Sequence, residues 1–223
     1  MRARDCLTIV VMLGLGGCAR QAELVPMPGV GALPAPPGRA AAEEAGIVLE
    51  AEPDAWRGIP SNLEEEVTPL LVTLTNDGDT PLRIRYNDFV LRGVGGQEYR
   101  ALPPFDVRET VTLSIREARF NGFAVAPYLS PYYPGIRAYG DPFLFDDIYY
   151  SRYYPAFVRV NLPTGDMIQQ ALPEGVLEPG GRVAGFLYFE EVDEDARQVD
   201  LIQTLRTPDG DAFGEIVIPF QVR

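Results

Sequence analysis

"TPLLVTLTNDGDTPLRIRY" spans residues 68–86, and its reading sets the fold class. Thr68–Asn76 is rich in Leu, Val and Thr, whose branched or bulky side chains sit well on a pleated surface. Asn76-Asp77-Gly78-Asp79 then supplies residues that tolerate the left-handed backbone of a hairpin turn. Beyond it, Leu82, Ile84 and Tyr86 alternate with Arg83 and Arg85, so this strand has one apolar face and one wet face. A slip of one residue would drive both arginines inward, which fixes the register.

Moving outward, the same pattern recurs. "GIVLEAE" (46–52) reads as a preceding strand, and "DFVLRG" (88–93) leads through Gly93, Gly95 and Gly96 into "EYRAL" (98–102). Near the C-terminus, "RVAGFLYFE" (182–190) is apolar on both faces, as a central strand is. "QVDLIQTL" (198–205) and the turn "TPDGD" (207–211) precede "AFGEIVIPFQV" (212–222). In this last strand Ile216, Ile218, Phe220 and Val222 share a face, and Pro219, lacking a donor, marks an edge. "PTGDMIQQAL" (163–172) is the single short helix: Thr164 caps it, with Met167, Ile168, Ala171 and Leu172 on one side.

Short strands joined by Gly/Asp/Pro turns predict a mainly β chain folded as an antiparallel sandwich. "NDGDTPLRI" (76–84) and "LEPGGRVAGFLYF" (177–189) together resemble immunoglobulin-like modules of secreted bacterial proteins. The resemblance implies an immunoglobulin-like sandwich and names no activity.

Between the two β-rich blocks, residues 103–165 are too long for a loop inside a compact domain and read as a large insertion with little core of its own. In "VRETVTLSIREARF" (107–120), Val111, Leu113 and Ile115 alternate like a strand while the flanks suit a helix. "AFVRVNL" (156–162) reads as a returning strand. Eight of the eleven tyrosines lie within 128–154, broken up by prolines that deny the backbone a ladder. Tyr132, Tyr133, Tyr139, Tyr149, Tyr150, Tyr153 and Tyr154 form the candidate binding surface, since tyrosine couples a large apolar body to a polar tip. The leading expectation is that most of these rings pack as a lid over the sandwich, with Phe143, Leu144 and Phe145 as inner anchors and outer rings exposed.

The N-terminus points to a compartment. Arg2 and Arg4 precede the uncharged apolar run "LTIVVMLGLGG" (7–17), too short for a bilayer span but suited to the core of a secretory signal. Leu15-Gly16-Gly17-Cys18 resembles the lipobox of bacterial lipoproteins. That resemblance implies cleavage after residue 17 and acylation of Cys18. With Ala19 following the Cys, it also implies outer-membrane attachment with the body facing the periplasm. Two or three acyl chains hold firmly where one binds only marginally. Residues 18–45, most of them Ala, Pro or Gly, read as an extended linker, with "GRAAAEEAG" suited to a helical turn or two. The folded domain is then 46–223. Cys6 and Cys18 are the only cysteines, so the mature chain has none left for a disulfide.

Composition narrows the chemistry. The chain has no His, its 19 basic residues are all Arg, and its formal net charge is −13. Such acidity repels nucleic acid and anionic headgroups. Without His, Lys or a free thiol, nucleophilic triads, His-bound zinc and Schiff-base chemistry lack their residues. No cofactor or metal site is expected: the acidic run "EEVDED" (190–195) and the pairs Asp77/Asp79 and Asp209/Asp211 read as solvated loops and turns. The expected function is a non-catalytic, lipid-tethered binding or scaffold module of the cell envelope that contacts an envelope protein. The alternatives are a glycan- or peptidoglycan-binding module, and a carboxylate hydrolase using Asp141, Asp146 or Asp147 beside sugar-stacking rings.

Overall fold

The structure, a computed structural model, describes residues 22–29, 31–114, 157–193 and 195–223. It is mainly antiparallel β. Twelve strands form one curled sheet whose main path runs β1-β14-β13-β7-β8-β12-β5-β4-β3-β2. Their ranges are β1 Leu24–Pro26, β2 Ala32–Leu33, β3 Ala40–Glu44, β4 Ile47–Glu52, β5 Thr68–Asn76, β6 Leu82–Ile84, β7 Phe89–Gly93 and β8 Glu98–Leu102. Later come β11 Gly175–Leu177, β12 Arg182–Phe189, β13 Gln198–Arg206 and β14 Ala212–Val222, while β9 Thr110–Ser114 and β10 Phe157–Asn161 form a separate two-stranded sheet. The helix α1 is Gly165–Gln170.

β8 turns the corner of the curl. Its Glu98–Arg100 pair with β7, whereas Ala101 and Leu102 pair with β12. The two arms then face each other across one core, in the manner of a sandwich. Ile47 and Leu49 of β4, Leu70, Val72 and Leu74 of β5 and Phe189 of β12 pack in the same cluster as Leu201 and Leu205 of β13 and Ile218 and Phe220 of β14. β12 shows why its sequence is apolar throughout: Leu187 and Phe189 face that core, while Phe186 and Tyr188 face a second cluster on the outer side.

Most of the expected strands form where the alternation placed them. The "LRIRY" strand is shorter, because Tyr86–Asp88 form a 3-10 turn. There the Tyr86 amide donates to Glu174 Oε1 at 3.0 Å, and Asp88, nearly buried, receives Arg83 at 2.9 Å and Arg206 at 3.3 Å. Thr164 caps α1 as expected, its hydroxyl accepting from the Met167 amide at 3.4 Å. Only part of the proposed apolar side is buried: Met167 is enclosed, but Ile168 is 41% exposed. After Gln170 the chain straightens, and Ala171 bridges Phe186 in parallel.

One expectation is corrected. The linker assigned to 18–45 is, over its described part, woven into the sheet: β1 pairs with β14, and β3 pairs with β4 through Ala42↔Leu49. Ala40, Ala41 and Ala42 are buried, so pairing and close packing override alanine's helical preference. Ala45 and Gly46, with φ of 52° and 78°, make the two-residue turn between β3 and β4. Gly46 is required there, since a Cβ would meet the Gly78 backbone at 2.6 Å. The ends of the insertion pack on the body: Val107, Val111, Leu113, Val160 and Leu162 are buried with Trp56, Leu63, Met167 and Tyr188, the last four all outside 103–165.

One core position is out of keeping with its neighbours. Gln203 of β13 is fully enclosed, and neither its Oε1 nor its Nε2 has a partner among the described residues. A buried, unpartnered amide costs about 1–3 kcal/mol. Gln203→Met keeps the unbranched shape and removes both polar atoms, so the urea midpoint should rise with an unchanged slope. A fall would show that the amide stabilises this core.

Candidate functional site

The two limbs of the insertion leave the body as a paired stem. β9 and β10 are antiparallel, from Thr110↔Asn161 at the foot to Ser114↔Phe157 at the top. Directly opposed Cα atoms lie about 4.5–5.5 Å apart, so Ser114 and Phe157 stand close together at the top of one narrow neck. The foot is tied by the Leu162 amide to the Glu109 carbonyl at 2.9 Å, and Asn62 Nδ2 reaches the Thr112 carbonyl at 3.3 Å.

An aromatic cluster seats this stem. Trp56, 3% exposed, meets Phe186 edge-on at 5.1 Å and Tyr188 at 6.1 Å. Its indole donates to the Pro60 carbonyl at 2.6 Å. The Tyr188 hydroxyl donates to the Met167 carbonyl at 2.9 Å. Thr164 Oγ1 donates to the Ile59 carbonyl, and Asp166 Oδ2 accepts from the Ile59 amide at 2.9 Å. Segment 56–60, the start of α1 and β12 are thereby locked together under the stem.

The three tyrosines outside 128–154 are all structural. Tyr86 donates to the Leu172 carbonyl at 2.6 Å and Tyr99 to Asp193 at 2.9 Å; Tyr188 is described above. Burial raises all three, with nearby Glu174 helping to push Tyr86 up to about 12.

Beside the foot of the stem runs an open groove of about 490 Å³, lined by Glu66, Asp106, Glu109, Glu190 and Glu191 with Arg108. Partial burial raises the Glu66 carboxyl, and Glu109, Glu191 and Glu65 raise it further by repulsion. A folded-state value above the unfolded one means that Glu66 supports folding while protonated and loses that support as pH rises through its raised value. Glu66→Gln should therefore raise the thermal midpoint at pH 7, with the gain vanishing near pH 4; thermal scans at the two pH values check this. A gain that persists at low pH would place its cause elsewhere.

The structure locates the remaining sequence candidates as follows. Cys18, the seven candidate tyrosines Tyr132, Tyr133, Tyr139, Tyr149, Tyr150, Tyr153 and Tyr154, and Asp141, Asp146 and Asp147 lie outside the described residues. Asp77, Asp79, Asp209 and Asp211 sit exposed in turns. Among the described residues, no group of three or more acidic, His or Cys side chains is placed to hold a metal ion, and no helix is long and apolar enough to cross a membrane. Trp56, the centre of the stem's seat, escaped the sequence reading. It lies in an irregular segment, and its only local signal is being the chain's single Trp.

These features define a mainly antiparallel β protein that carries a stemmed aromatic insertion. Comparison of the chain with protein-family models, with curated proteins and with solved structures finds no match.

Proposed function

We propose that this chain is a non-catalytic envelope lipoprotein, anchored through acylated Cys18, whose β body displays the aromatic insertion to a partner protein. The observation that supports this most is the stem. A segment meant only to cover the sheet has no need of a paired neck seated on its own apolar cluster, whereas a displayed contact surface needs a rigid mount. Tyrosine-rich surfaces suit that role because their large rings contribute area at low entropic cost. The lipobox-like LGGC and the absence of His and Lys point the same way.

The opposed pair Ser114↔Phe157 provides the test. Replacing 115–156 by a two-residue Asn-Gly turn should leave the body's unfolding midpoint nearly unchanged and abolish its crosslinks to envelope proteins in intact cells. An unchanged crosslink pattern would overturn the role given to the insertion. Crosslinks to wall glycan in place of protein would favour the glycan-binding alternative.

A further inference from the structure

The distance between the acylated residue and the first strand restricts how the body can stand. Leu24 pairs with Val222, and Glu23 and Arg223 exchange backbone hydrogen bonds at 3.1 and 3.0 Å, so the chain is pinned from residue 23 onward. Five peptide units separate Cys18 from Glu23, and a fully extended chain covers at most about 18 Å over that distance. β14 alone, with 11 residues, is about 36 Å long. The tether is thus about half the length of the body. It falls far short of the reach that a free linker to residue 45 would allow.

The elements at the pinned end follow from the register. Gln198 opposes Gln221, Val199 opposes Gly93, and the Val94 amide donates to the Gln198 carbonyl at 3.4 Å. The β7–β8 turn, Gly93–Gln97, therefore lies at the same end of the sheet as the start of β1, with Val94 77% exposed at its tip. Both ends mix signs: Arg92, Arg197 and Arg223 stand with Glu23, Glu98, Asp193 and Asp195 at the pinned end, and Arg182 and Arg206 stand with Asp77, Asp79, Asp209 and Asp211 at the far end.

We infer that the anchored body rests end-on against the lipid headgroups, with the Gly93–Gln97 turn facing the lipid surface and Val94 entering its interface. The tether supplies the effective concentration that one valine could not provide alone. This inference rests on the proposed acylation of Cys18.

The experiment uses the full chain, expressed with its lipid modification, so that a cysteine added at position 94 or 209 is the sole free thiol. Val94→Cys and Asp209→Cys, each carrying an environment-sensitive dye, are reconstituted into phosphatidylethanolamine/phosphatidylglycerol vesicles containing a headgroup-spin-labelled lipid. The dye at 94 should shift to the blue and be quenched, and the dye at 209 should keep its vesicle-free spectrum. Equal signals, or stronger quenching at 209, from protein that floats with the vesicles would overturn the end-on placement and leave the anchor intact. Protein that fails to float would overturn the anchor, and this inference with it, before any dye is read.

Discussion

Trp56→Ala should lower stability by about 3–5 kcal/mol, the cost of deleting a large buried aromatic side chain. Trp56 is 3% exposed and packs edge-on against Phe186 and Tyr188, and its indole satisfies the Pro60 carbonyl. The truncation removes ring contacts worth about 0.5–1.5 kcal/mol per pair beyond area burial, and it leaves that carbonyl without its donor. The damage should be local first. The cluster that loses its centre is the one seating Val111, Leu113 and Val160, so the stem should loosen while the main core stays closed. Urea unfolding reads the total, and amide exchange over 110–114 and 157–161 reads the stem. Phe105→Ala, which truncates a ring 69% exposed, is the matched control and should change little. A Trp56→Ala loss below about 1 kcal/mol, well short of the usual cost, would mean that the stem is held by something other than this cluster.

The same cluster shows where sequence reading works and where it stops. β5, β8 and β14 coincide with their expected stretches to the residue, because alternation and turn chemistry are local signals and the sheet does not contradict them. β1, β2 and β3 look like linker in the sequence because Ala, Pro and Gly carry no periodicity. Their place is set by backbone pairing with β14 and β4, which composition does not record. The seat of the stem was invisible for a related reason. It gathers Trp56, Leu63, Val107, Val160, Met167 and Tyr188 from parts of the chain far apart in sequence, so no single local period marks them as one cluster. The stem itself was half legible: Val111 and Leu113 alternate, but the flanking charges offered a helix equally well until Val160 and Asn161 returned to pair with them. The aromatic residues of the candidate surface were plain in the sequence as a composition, and what the fold adds is the mount beneath them.

Gly185→Ala is the smallest substitution expected to have a comparable effect. A Cβ at 185 would lie 2.5 Å from both the Cα and the N of Leu172 and 2.8 Å from the carbonyl carbon of Ala171. These are backbone atoms, so no rotamer change relieves the contact. Nor can Leu172 retreat cheaply. Its amide donates to the Phe186 carbonyl at 2.9 Å, its carbonyl receives the Tyr86 hydroxyl at 2.6 Å, and its side chain is 1% exposed in the main core. It occupies the flank of β12 that β8 leaves free, since β8 pairs only with Tyr188 and Phe189. Adding one methyl group therefore forces the segment after α1 off β12. The cost should reach or exceed the top of the roughly 1–3 kcal/mol range for overpacking. Gly165→Ala, at the open start of α1 with nothing within 4 Å of its added Cβ, should be neutral or gain up to about 1 kcal/mol from alanine's better helix propensity. Because Gly165 opens α1 and Gly185 abuts the segment that follows it, measuring the two variants side by side separates a requirement for backbone approach from a general intolerance of the region. If Gly185→Ala proves as benign as Gly165→Ala, the segment after α1 is not fixed against β12. The stem's seat would then rest on Trp56 and its neighbours alone.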